Sequence, residues 1–489
     1  MMMCAGQGKR WLAAWRRRRS VHRVTISTFP LAALLSLLVV GAGHAEQPAA
    51  DRLERVVILT RHGVRGAMSA PEELGGYTRL AWPSFSAPPG ILTAHGATLL
   101  TMMGEWYRAR YQAVGLLRAG DCAVYLWANH TQRTVASAKA LAQGLAPRCA
   151  LAVNQSPQEP DPLFDAPLTP FAPPDNARLL AAISARVGGN LAAWDARQRP
   201  QLDRFEALLL QCARTPCSAE ERGHVRHRLS DTPIVMRLDE QRALQLSSPA
   251  LAVGGLAESL IMAYADGRDF AGWRGMDSRT IGPVLAVHGA AIDLRTRTRE
   301  VGRQSSSYLA MRLLATLQRG AGVPVLADPV GDGQKIVVLA GHDGTLTMLA
   351  GLLGLNWQLP GYGAGEAAPG GAILFELWRR GAQGRPFVRV LYAAQSLEQM
   401  RHLAPLSLER PPASEAIAIA GCPDRERGCP LDAFTQHVLR QIAPPARSKR
   451  QERYPPPVRH GPKLGAKRSS AHEYDRQVVR GHGDDAIQL

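Results

Sequence analysis

Three short apolar runs constrain the fold of this 489-residue chain more than any other feature. They cover residues 56–60, 123–127 and 335–340. Continuous apolar runs rich in β-branched residues are typical of strands that are covered on both faces, as in a parallel sheet. Helix-like segments follow the second and third runs closely, at residues 134–145 and 345–355. This alternation predicts an α/β fold with a doubly wound, mainly parallel sheet.

The pattern changes between residues 173 and about 297, where strand-like runs become scarce. Helix-like segments dominate this stretch, at residues 175–186, 202–214 and 255–264. We interpret it as an inserted α-rich cap domain, with residues 46–172 and 298–446 forming the α/β core. Residues 447–489 are rich in Pro, Lys, Arg, Gly and His and contain few large apolar residues, which predicts a disordered basic tail.

Residues 1–45 have the pattern of an export signal. Four arginines at positions 16–19 precede a Leu-rich apolar core at residues 29–40, and small residues then offer a cleavage site near Ala45. The apolar core is too short for a comfortable membrane span, although an uncleaved signal anchor is the alternative. No other stretch suits a stable membrane span. The chain is therefore predicted to be periplasmic or secreted.

The net charge of +17 lies mostly at the two ends of the chain. Residues 1–45 hold seven Lys or Arg and no acidic residue, and residues 447–489 hold ten basic against five acidic residues. About +5 therefore remains for residues 46–446. Basic tails usually solubilise a protein or touch surfaces loosely, so we expect no specific nucleic-acid partner.

The cysteines agree with export. Seven are present, and Cys4 would be removed with the signal. The other six fall into neighbouring pairs: Cys122 and Cys149, Cys212 and Cys217, Cys422 and Cys429. Sequence alone does not choose among the pairings of six cysteines, and pairing of neighbours is the simplest expectation in an oxidising compartment. No Cys-x-x-Cys pair or close His/Cys cluster suggests a metal site.

Polar residues follow all three predicted strands at the point where each one ends. Arg61-His62-Gly63-Val64-Arg65 comes directly after the first strand, and Gly341-His342-Asp343 comes after the third. Arg133 begins the helix that follows the second. Because ligands of α/β sheets bind beyond the carboxyl ends of the strands, these groups are expected to meet in one crevice.

These residue types suit the hydrolysis of a phosphomonoester. His62 can attack phosphorus and form a phosphohistidine. His342 can donate to the phosphate oxygens, and Asp343 can protonate the leaving alcohol. Glycine after the attacking histidine allows a tight turn and a close approach to the ligand.

The three arginines supply the matching charge. Arg61, Arg65 and Arg133 can hold a phosphate with planar bidentate forks, which lysine could not do equally well. Arg133 also lies at a helix start, where free amides and the helix dipole favour anions. Each piece alone has a plainer interpretation, as a basic turn, a structural histidine or a solvated arginine. Their combination at three strand ends favours a phosphatase site.

The two motifs resemble those of the histidine acid phosphatases. Residues 355–361, 369–371 and 420–422 are also similar to stretches of that family. Similarity to its bacterial periplasmic members, phytases and glucose-1-phosphatases, runs over most of residues 54–443. The resemblance implies an α/β domain with an α-rich second domain, and the three neighbouring cysteine pairs resemble disulfides of those enzymes.

The resemblance also implies a role for each matching residue. His62 matches the nucleophile and Asp343 the proton donor, whereas Arg61, Arg65, Arg133 and His342 match the phosphate-binding groups. The family requires no metal and no cofactor for catalysis, and its substrates are small phosphomonoesters. The oligomeric state is not predicted.

The substrate pocket is expected to include five further residues: Met68, Ser69, Asn129, Glu258 and His288. Phytases of the family carry Thr-Lys where this chain has Met68-Ser69, and an acidic residue where it has Asn129. His288 does match a phytase pocket histidine. The stretch around Asn129 looks more like glucose-1-phosphatases, whereas Gly63-Val64 looks more like phytases.

The predicted function is an exported acid phosphatase of phytase-like specificity, acting on myo-inositol hexakisphosphate. A glucose-1-phosphatase or broad sugar-phosphate phosphatase is the alternative. A phosphate-transferring mutase would also use a histidine nucleophile, but it rarely needs an export signal and disulfides. A non-catalytic phosphate-binding protein would need no pairing of His62 with Asp343.

Overall fold

The computed structural model describes residues 50–165, 175–274, 276–277, 281–381, 383–422 and 424–443. The predicted export signal at 1–45 and the predicted basic tail at 447–489 lie outside these residues. Among the described helices, none combines the length and the apolar character that crossing a membrane requires.

Ten strands occur in the described residues. They are β1 (Arg52–Arg61), β2 (Val124–Ala128), β3 (Val153–Asn154), β4 (Val235–Leu238), β5 (Leu244–Ser247), β6 (Ile336–Gly341), β7 (Ala372–Arg379), β8 (Pro386–Ala394), β9 (Ala413–Ile417) and β10 (Cys429–Pro430). Eight of them form one sheet, and β4 pairs with β5 in a separate hairpin.

Thirteen α-helices occur in the same residues. They are α1 (Pro71–Leu74), α2 (Ala94–Ala113), α3 (Gln132–Leu145), α4 (Asn176–Arg186), α5 (Leu191–Arg197), α6 (Arg199–Leu210), α7 (Ala219–Gly223), α8 (Pro249–Ala265), α9 (Ile281–Thr296), α10 (Arg299–Ala321), α11 (Asp343–Leu353), α12 (Leu397–Arg401) and α13 (Leu431–Gln441).

The large sheet has the strand order β10-β8-β7-β1-β6-β2-β3, and β9 also pairs with β8. The strands β1, β6, β2 and β3 are mutually parallel, whereas the pairings that involve β7 and β8 are antiparallel. The α/β fold is thus confirmed. The three predicted strands are β1, β2 and β6, all in the parallel part, and the sequence did not predict the antiparallel part.

The parallel strands form because their apolar runs are covered on both faces. Every residue of β6 is buried, as are the last seven residues of β1. One face of β1 packs in the same apolar cluster as α10 and α11, and the other packs with α2 and α3. Helices therefore cover the two sides of the sheet, as in a doubly wound fold.

The segment 175–297 is mostly helical, as predicted, and it also contains the β4–β5 hairpin. Its helices differ from the predicted bounds at their ends. The helix predicted at 202–214 is α6, which ends at Leu210 because Gln211 adopts a left-handed conformation. The helix predicted at 255–264 is α8, which begins earlier, at Pro249. The limits of a separate cap domain stay a prediction.

The helices α2 and α3 approach each other closely through two glycines. A Cβ on Gly144 would lie 1.9 Å from the carbonyl oxygen of Thr101, and one on Gly104 would lie 2.1 Å from that of Leu141. Only glycine fits at such separations. This contact holds α3, which begins beside the predicted site, against α2.

The three predicted disulfides are present: Cys122–Cys149, Cys212–Cys217 and Cys422–Cys429. The first joins the start of β2 to the segment after α3, and the third joins the segment after β9 to β10. Pairing of sequence neighbours was therefore correct.

Candidate active site

Parallel pairing brings the ends of three strands to one edge of the sheet. Arg61 in β1 pairs with Gly341 in β6, and Ala128 in β2 pairs with Ala340. The backbone then continues in register, because His62 N–H donates to the Gly341 carbonyl at 2.9 Å and Asn129 N–H donates to the Ala340 carbonyl at 3.1 Å. The side chains that follow the strands therefore meet in one crevice, as predicted.

His62 is buried, with 2% of its surface exposed. Its Nδ1 lies 2.8 Å from the carbonyl oxygen of Gly63. A carbonyl can only accept a hydrogen bond, so Nδ1 carries the proton and Nε2 keeps its lone pair. Burial, followed by the charge of Arg61, holds the pKa of His62 well below its ordinary value. The imidazole is thus neutral and ready for nucleophilic attack through Nε2.

The turn after β1 is held by backbone contacts. Gly63 N–H donates to the Ser137 hydroxyl of α3 at 3.0 Å, and Thr93 N–H donates to the Val64 carbonyl at 3.0 Å. A Cβ on Gly63 would lie 2.7 Å from Leu100 Cδ1 and 3.1 Å from the Gly96 carbonyl oxygen, so a larger residue would have to displace its neighbours. His62 therefore stands on a turn that these hydrogen bonds hold against α3 and the segment before α2.

Arg61 and Arg65 both contact the carboxylate of Glu258, which lies on α8. Arg61 Nη2 donates a short hydrogen bond to Glu258 Oε1, and Arg65 Nη2 lies 3.1 Å from the same oxygen. Arg61 Nη1 also donates to the Ala367 carbonyl at 2.7 Å. Although burial would raise the pKa of Glu258, the charges of Arg65 and Arg61 outweigh it and lower the pKa. A carboxylate thus occupies the two arginines predicted to hold phosphate.

Asp343 is the first residue of α11 and faces the same arginine. Its Oδ2 lies 3.7 Å from Arg61 Nη2. Burial would raise the pKa of Asp343, but Arg61, His288 and the Gly344 amide together hold it well below the usual range. Without a bound ligand, Asp343 is therefore ionised.

His288 on α9 lies close to Glu258 and Asp343, with the ligand atoms of the three side chains within 4.8 Å of one another. Its Nδ1 lies 2.9 Å from Glu366 Oε1, and both residues are buried. Burial would lower the pKa of His288, but the Glu366 carboxylate outweighs it and raises the pKa. The chain thus brings His288, whose raised pKa favours the charged imidazole, next to Glu258 and Asp343.

His342 lies beside His62, with the two ring centroids 5.5 Å apart and the rings nearly perpendicular. Its Nε2 lies 3.2 Å from Asn129 Oδ1, and Asn129 Nδ2 donates to Asp165 Oδ2 at 2.8 Å. Burial, followed by the charge of Arg133, lowers the pKa of His342 to about 3. Asn129 thus contacts His342, one of the residues predicted to bind phosphate, directly.

Arg133 lies in the first turn of α3, as predicted. Its charge lowers the pKa values of both His62 and His342, which places its guanidinium near both imidazoles. Gly90 has a φ of +72°, and a Cβ there would lie 3.2 Å from Met68 Sδ and 3.6 Å from Arg133 Nη1. Met68 therefore lies at the edge of the site, next to Arg133, and Ser69 follows it, half-buried.

Two groups in the described residues bring potential metal ligands together. In the first, Cys212 and Cys217 are joined in a disulfide and offer no thiolate. The second consists of Glu258, His288 and Asp343, whose ligand atoms lie within 4.8 Å of one another. Arg61 and Arg65 already contact Glu258, and their charges oppose cation binding at that point.

Two carboxylates near the site were not predicted from the sequence. Glu366 is buried in the segment between α11 and β7, and the half-buried Asp165 follows the short strand β3. Neither follows an apolar strand directly, so the rule that located the other groups did not apply to them. Their only sequence signal is an acidic residue in a Gly- or Pro-containing loop, which is common on protein surfaces.

Comparison with known proteins identifies the family. The model of the histidine phosphatase superfamily (branch 2) matches residues 52–181 and 292–393, on both sides of the α-rich segment. Phytase AppA of Escherichia coli is 32% identical over 419 residues, covering 84% of this chain and 96% of the relative. Glucose-1-phosphatase of Salmonella typhimurium is 28% identical, covering 79% and 92%.

A solved structure agrees with these relatives. Hafnia alvei phytase in its apo form has a TM-score of 0.72 and 30% identity, covering 81% of this chain and 98% of that chain. The same phytase in complex with myo-inositol hexakis sulphate has a TM-score of 0.71. The chain belongs to branch 2 of the histidine phosphatase superfamily and is a phosphoric monoester hydrolase.

Proposed function

We propose that this chain hydrolyses phosphomonoesters through a phosphohistidine on His62, with Asp343 as the proton donor. The observation that carries the proposal is the state of His62. Its Nδ1–H is committed to the Gly63 carbonyl, so Nε2 is unprotonated within a group of three arginines. A neutral imidazole with one fixed tautomer is what attack on phosphorus requires.

In the first step, Nε2 of His62 forms a bond to phosphorus while the bond to the leaving oxygen breaks. Asp343 gives its proton to that oxygen, and the alcohol departs. Charge develops on the equatorial oxygens, where the arginines and His342 can donate hydrogen bonds. Such prepositioned donors supply about 3–4 kcal/mol each at comparable sites.

In the second step, water attacks the phosphohistidine. The Asp343 carboxylate, left ionised by the first step, accepts a proton from this water as the bond between phosphorus and Nε2 breaks. Phosphate is released and Asp343 is protonated again. One carboxyl group can therefore serve as acid and then as base.

Binding of the substrate would change the contacts of Glu258 and the pKa of Asp343. A phosphate dianion competes with Glu258 for Arg61 and Arg65, because the carboxylate and the phosphate would contact the same two guanidinium groups. The dianion also reduces the attraction of Arg61 for the ionised form of Asp343, which raises the pKa of Asp343 towards the working pH. The ligand thereby prepares the proton donor.

Phytate, myo-inositol hexakisphosphate, is the substrate that we propose first. The support is similarity to phytases over most of the chain, together with His288 in the pocket. Glucose 1-phosphate or a broader set of sugar phosphates is the second candidate. Met68 at the edge of the site and the neutral Asn129 beside His342 favour a less highly charged substrate.

We also propose that the protein is exported and acts in the periplasm or outside the cell. The sequence of residues 1–45 supports export, with cleavage near Ala45. The three disulfides support an oxidising compartment.

The test compares kcat/KM for phytate, glucose 1-phosphate and an aryl phosphate at acidic pH, with released phosphate as the readout. We expect release from all three and the highest value for phytate. A higher value for glucose 1-phosphate would select the second candidate. Rearranged substrate without free phosphate would indicate a mutase, and binding without turnover would contradict the enzymatic proposal.

The covalent step has its own test. When a reaction with substrate labelled in its phosphate group is quenched in alkali, label should remain on the protein. A phosphoramidate bond survives base and is lost in acid. Digestion should place the label on the peptide that contains His62. Label on another residue would contradict the assigned nucleophile.

A further inference from the structure

A hydrogen-bonded chain of three side chains leads away from the candidate active site. His342 Nε2 lies 3.2 Å from Asn129 Oδ1, and Asn129 Nδ2 lies 2.8 Å from Asp165 Oδ2. Asn129 is 4% exposed and follows β2, so its carboxamide is held between the two neighbours. The Thr131 amide also donates to Asn129 Oδ1, at 3.3 Å.

We propose that Asp165, acting through Asn129, is a positioning residue that fixes the tautomer and orientation of His342. The proposal rests on the proposed function, because the Nε2–H that Asn129 holds in the ligand-free site is the same donor that a bound phosphate oxygen would share or take over. Neither Asp165 nor Asn129 needs to touch the reacting atoms.

The groups that can donate and those that can only accept determine the direction of the hydrogen bonds between Asp165, Asn129 and His342. Burial raises the pKa of Asp165; in its ionised form the carboxylate can only accept, so it must face the NH₂ group of Asn129. The carbonyl oxygen of Asn129 then faces His342, and this oxygen can only accept. His342 must therefore carry its proton on Nε2. A rotated Asn129 would place its NH₂ group against the Thr131 amide and leave Asp165 without this donor.

The charged member of this hydrogen-bonded series, Asp165, does not contact His342 itself. Asp165 is half-buried, near Asp161 and His130, and Asn129 separates it from the imidazole. An acid directly beside His342 would stabilise the imidazolium form, as opposite charges do at short range. The neutral carboxamide transmits orientation without that effect, so His342 stays a neutral donor among three arginines.

Four variants separate this role from a merely structural one. Asp165→Asn keeps an acceptor for Asn129 and should behave nearly as the wild type does. Asp165→Leu removes the acceptor and should lower kcat/KM, on the order of tenfold to a hundredfold, because the phosphate donor is misplaced. A separate control, Asn190→Asp at the N-cap of α5, reports the effect of an Asn-to-Asp change at another position.

The remaining two variants test the direction of the chain. Asn129→Asp places two carboxylates in contact, and such a pair retains one proton because both cannot ionise. Its kcat/KM should fall steeply as the pH rises and recover at low pH. In the double variant Asn129→Asp with Asp165→Asn, the introduced carboxylate is not paired with another acid and accepts from both neighbours. The double variant should be more active than Asn129→Asp and lose the added pH dependence, whereas the acid beside His342 should raise the pKa of that imidazole.

A readout that needs no activity accompanies the kinetics. In full-length protein labelled with ¹⁵N-histidine, the wild-type His342 should show a protonated Nε2 and an unprotonated Nδ1, with assignment from His342→Gln. The Asp165→Leu variant should shift these resonances or show both tautomers. The inference is overturned if wild-type His342 carries its proton on Nδ1, if Asp165→Leu leaves tautomer and kcat/KM unchanged, or if the double variant is no better than Asn129→Asp. An inactive wild type with the expected tautomer would sink the proposed function alone.

Discussion

The two walls of the candidate active site differ in the elements that supply them and in the charge that they carry. One wall, the strand-end wall, consists of residues that follow β1, β2 and β6: Arg61, His62, Arg65, Arg133, His342 and Asp343. The opposite wall, the acidic wall, consists of Glu258 on α8, His288 on α9 and Glu366 in the segment before β7. The first holds the proposed nucleophile and the arginines, and the second holds the carboxylates Glu258 and Glu366.

This difference in charge shows how a cluster of arginines can remain folded without a bound phosphate. Three arginines around two histidines would repel each other in a region of low dielectric constant. Glu258 contacts Arg61 and Arg65 in place of a phosphate, and His288 is balanced by Glu366. The strand-end wall is thus assigned to chemistry and the acidic wall to compensation. Four changes test this division, beginning with the largest expected effect.

His62→Ala should remove turnover almost completely, with kcat lowered by at least about 10³-fold, because no other residue replaces the attacking nitrogen. The measurement is steady-state release of phosphate, with His402→Ala, an exposed histidine on the C-terminal side of α12, as the control. Turnover close to wild type would eliminate the covalent mechanism.

Asp343→Asn should lower kcat by about 10²- to 10⁴-fold, the range expected for loss of a general acid. The loss should be smallest for an aryl phosphate, whose leaving group needs little protonation. A series of leaving groups of different pKa, assayed with both proteins, measures this. An equal loss across the series would show that Asp343 does not protonate the leaving oxygen.

The pH dependence of kcat/KM follows from two lowered pKa values. The lowered pKa of His62 keeps the nucleophile unprotonated as the solution becomes acidic. The lowered pKa of Asp343 means that its acid form, and with it the rate, is lost as the pH rises. We expect an acidic optimum, with a fall of about tenfold per pH unit on the basic side. A maximum above neutrality would contradict these roles.

Glu258→Gln should have the smallest effect of the four changes, and it should strengthen the binding of phosphate. Removing the competing carboxylate should let inorganic phosphate bind more tightly to Arg61 and Arg65, by about tenfold, the size of a typical coupling between two charged ligands. Inhibition constants for phosphate measure this, with Glu240→Gln on the exposed β4–β5 turn as the control. Weaker phosphate binding would mean that Glu258 supports the site rather than competing for it.

Much of this protein could be predicted from the sequence, and the parts that could are local. The strands β1, β2 and β6 are continuous apolar runs, so their type and approximate position were correct. The strands β7 and β8 are also largely buried, but the expectation of a mainly parallel sheet gave no reason to look for them. The end of α6 was placed too late, because a left-handed Gln211 has no strong signature.

The candidate site divides in the same way. Residues that directly follow a strand of a parallel sheet must lie at its carboxyl edge, which is why the sequence alone placed Arg61, His62, His342 and Asp343 together. Met68, Asn129, Glu258 and His288 were named through family resemblance, but their contacts were not predicted. Asp165 and Glu366 were not predicted at all.

The sequence by itself determined the α/β fold and the grouping of polar residues at the strand ends, because both depend on residues that are close in the chain or on strand pairing of known geometry. For the disulfides it offered pairing of neighbours only as the simplest of several possibilities. Only the tertiary structure decided that Glu258 occupies two arginines and that Asp165 reaches His342 through Asn129. Those contacts join residues separated by 197, 36 and 213 positions. No local pattern encodes such separations, since they follow from how helices and loops pack against the sheet.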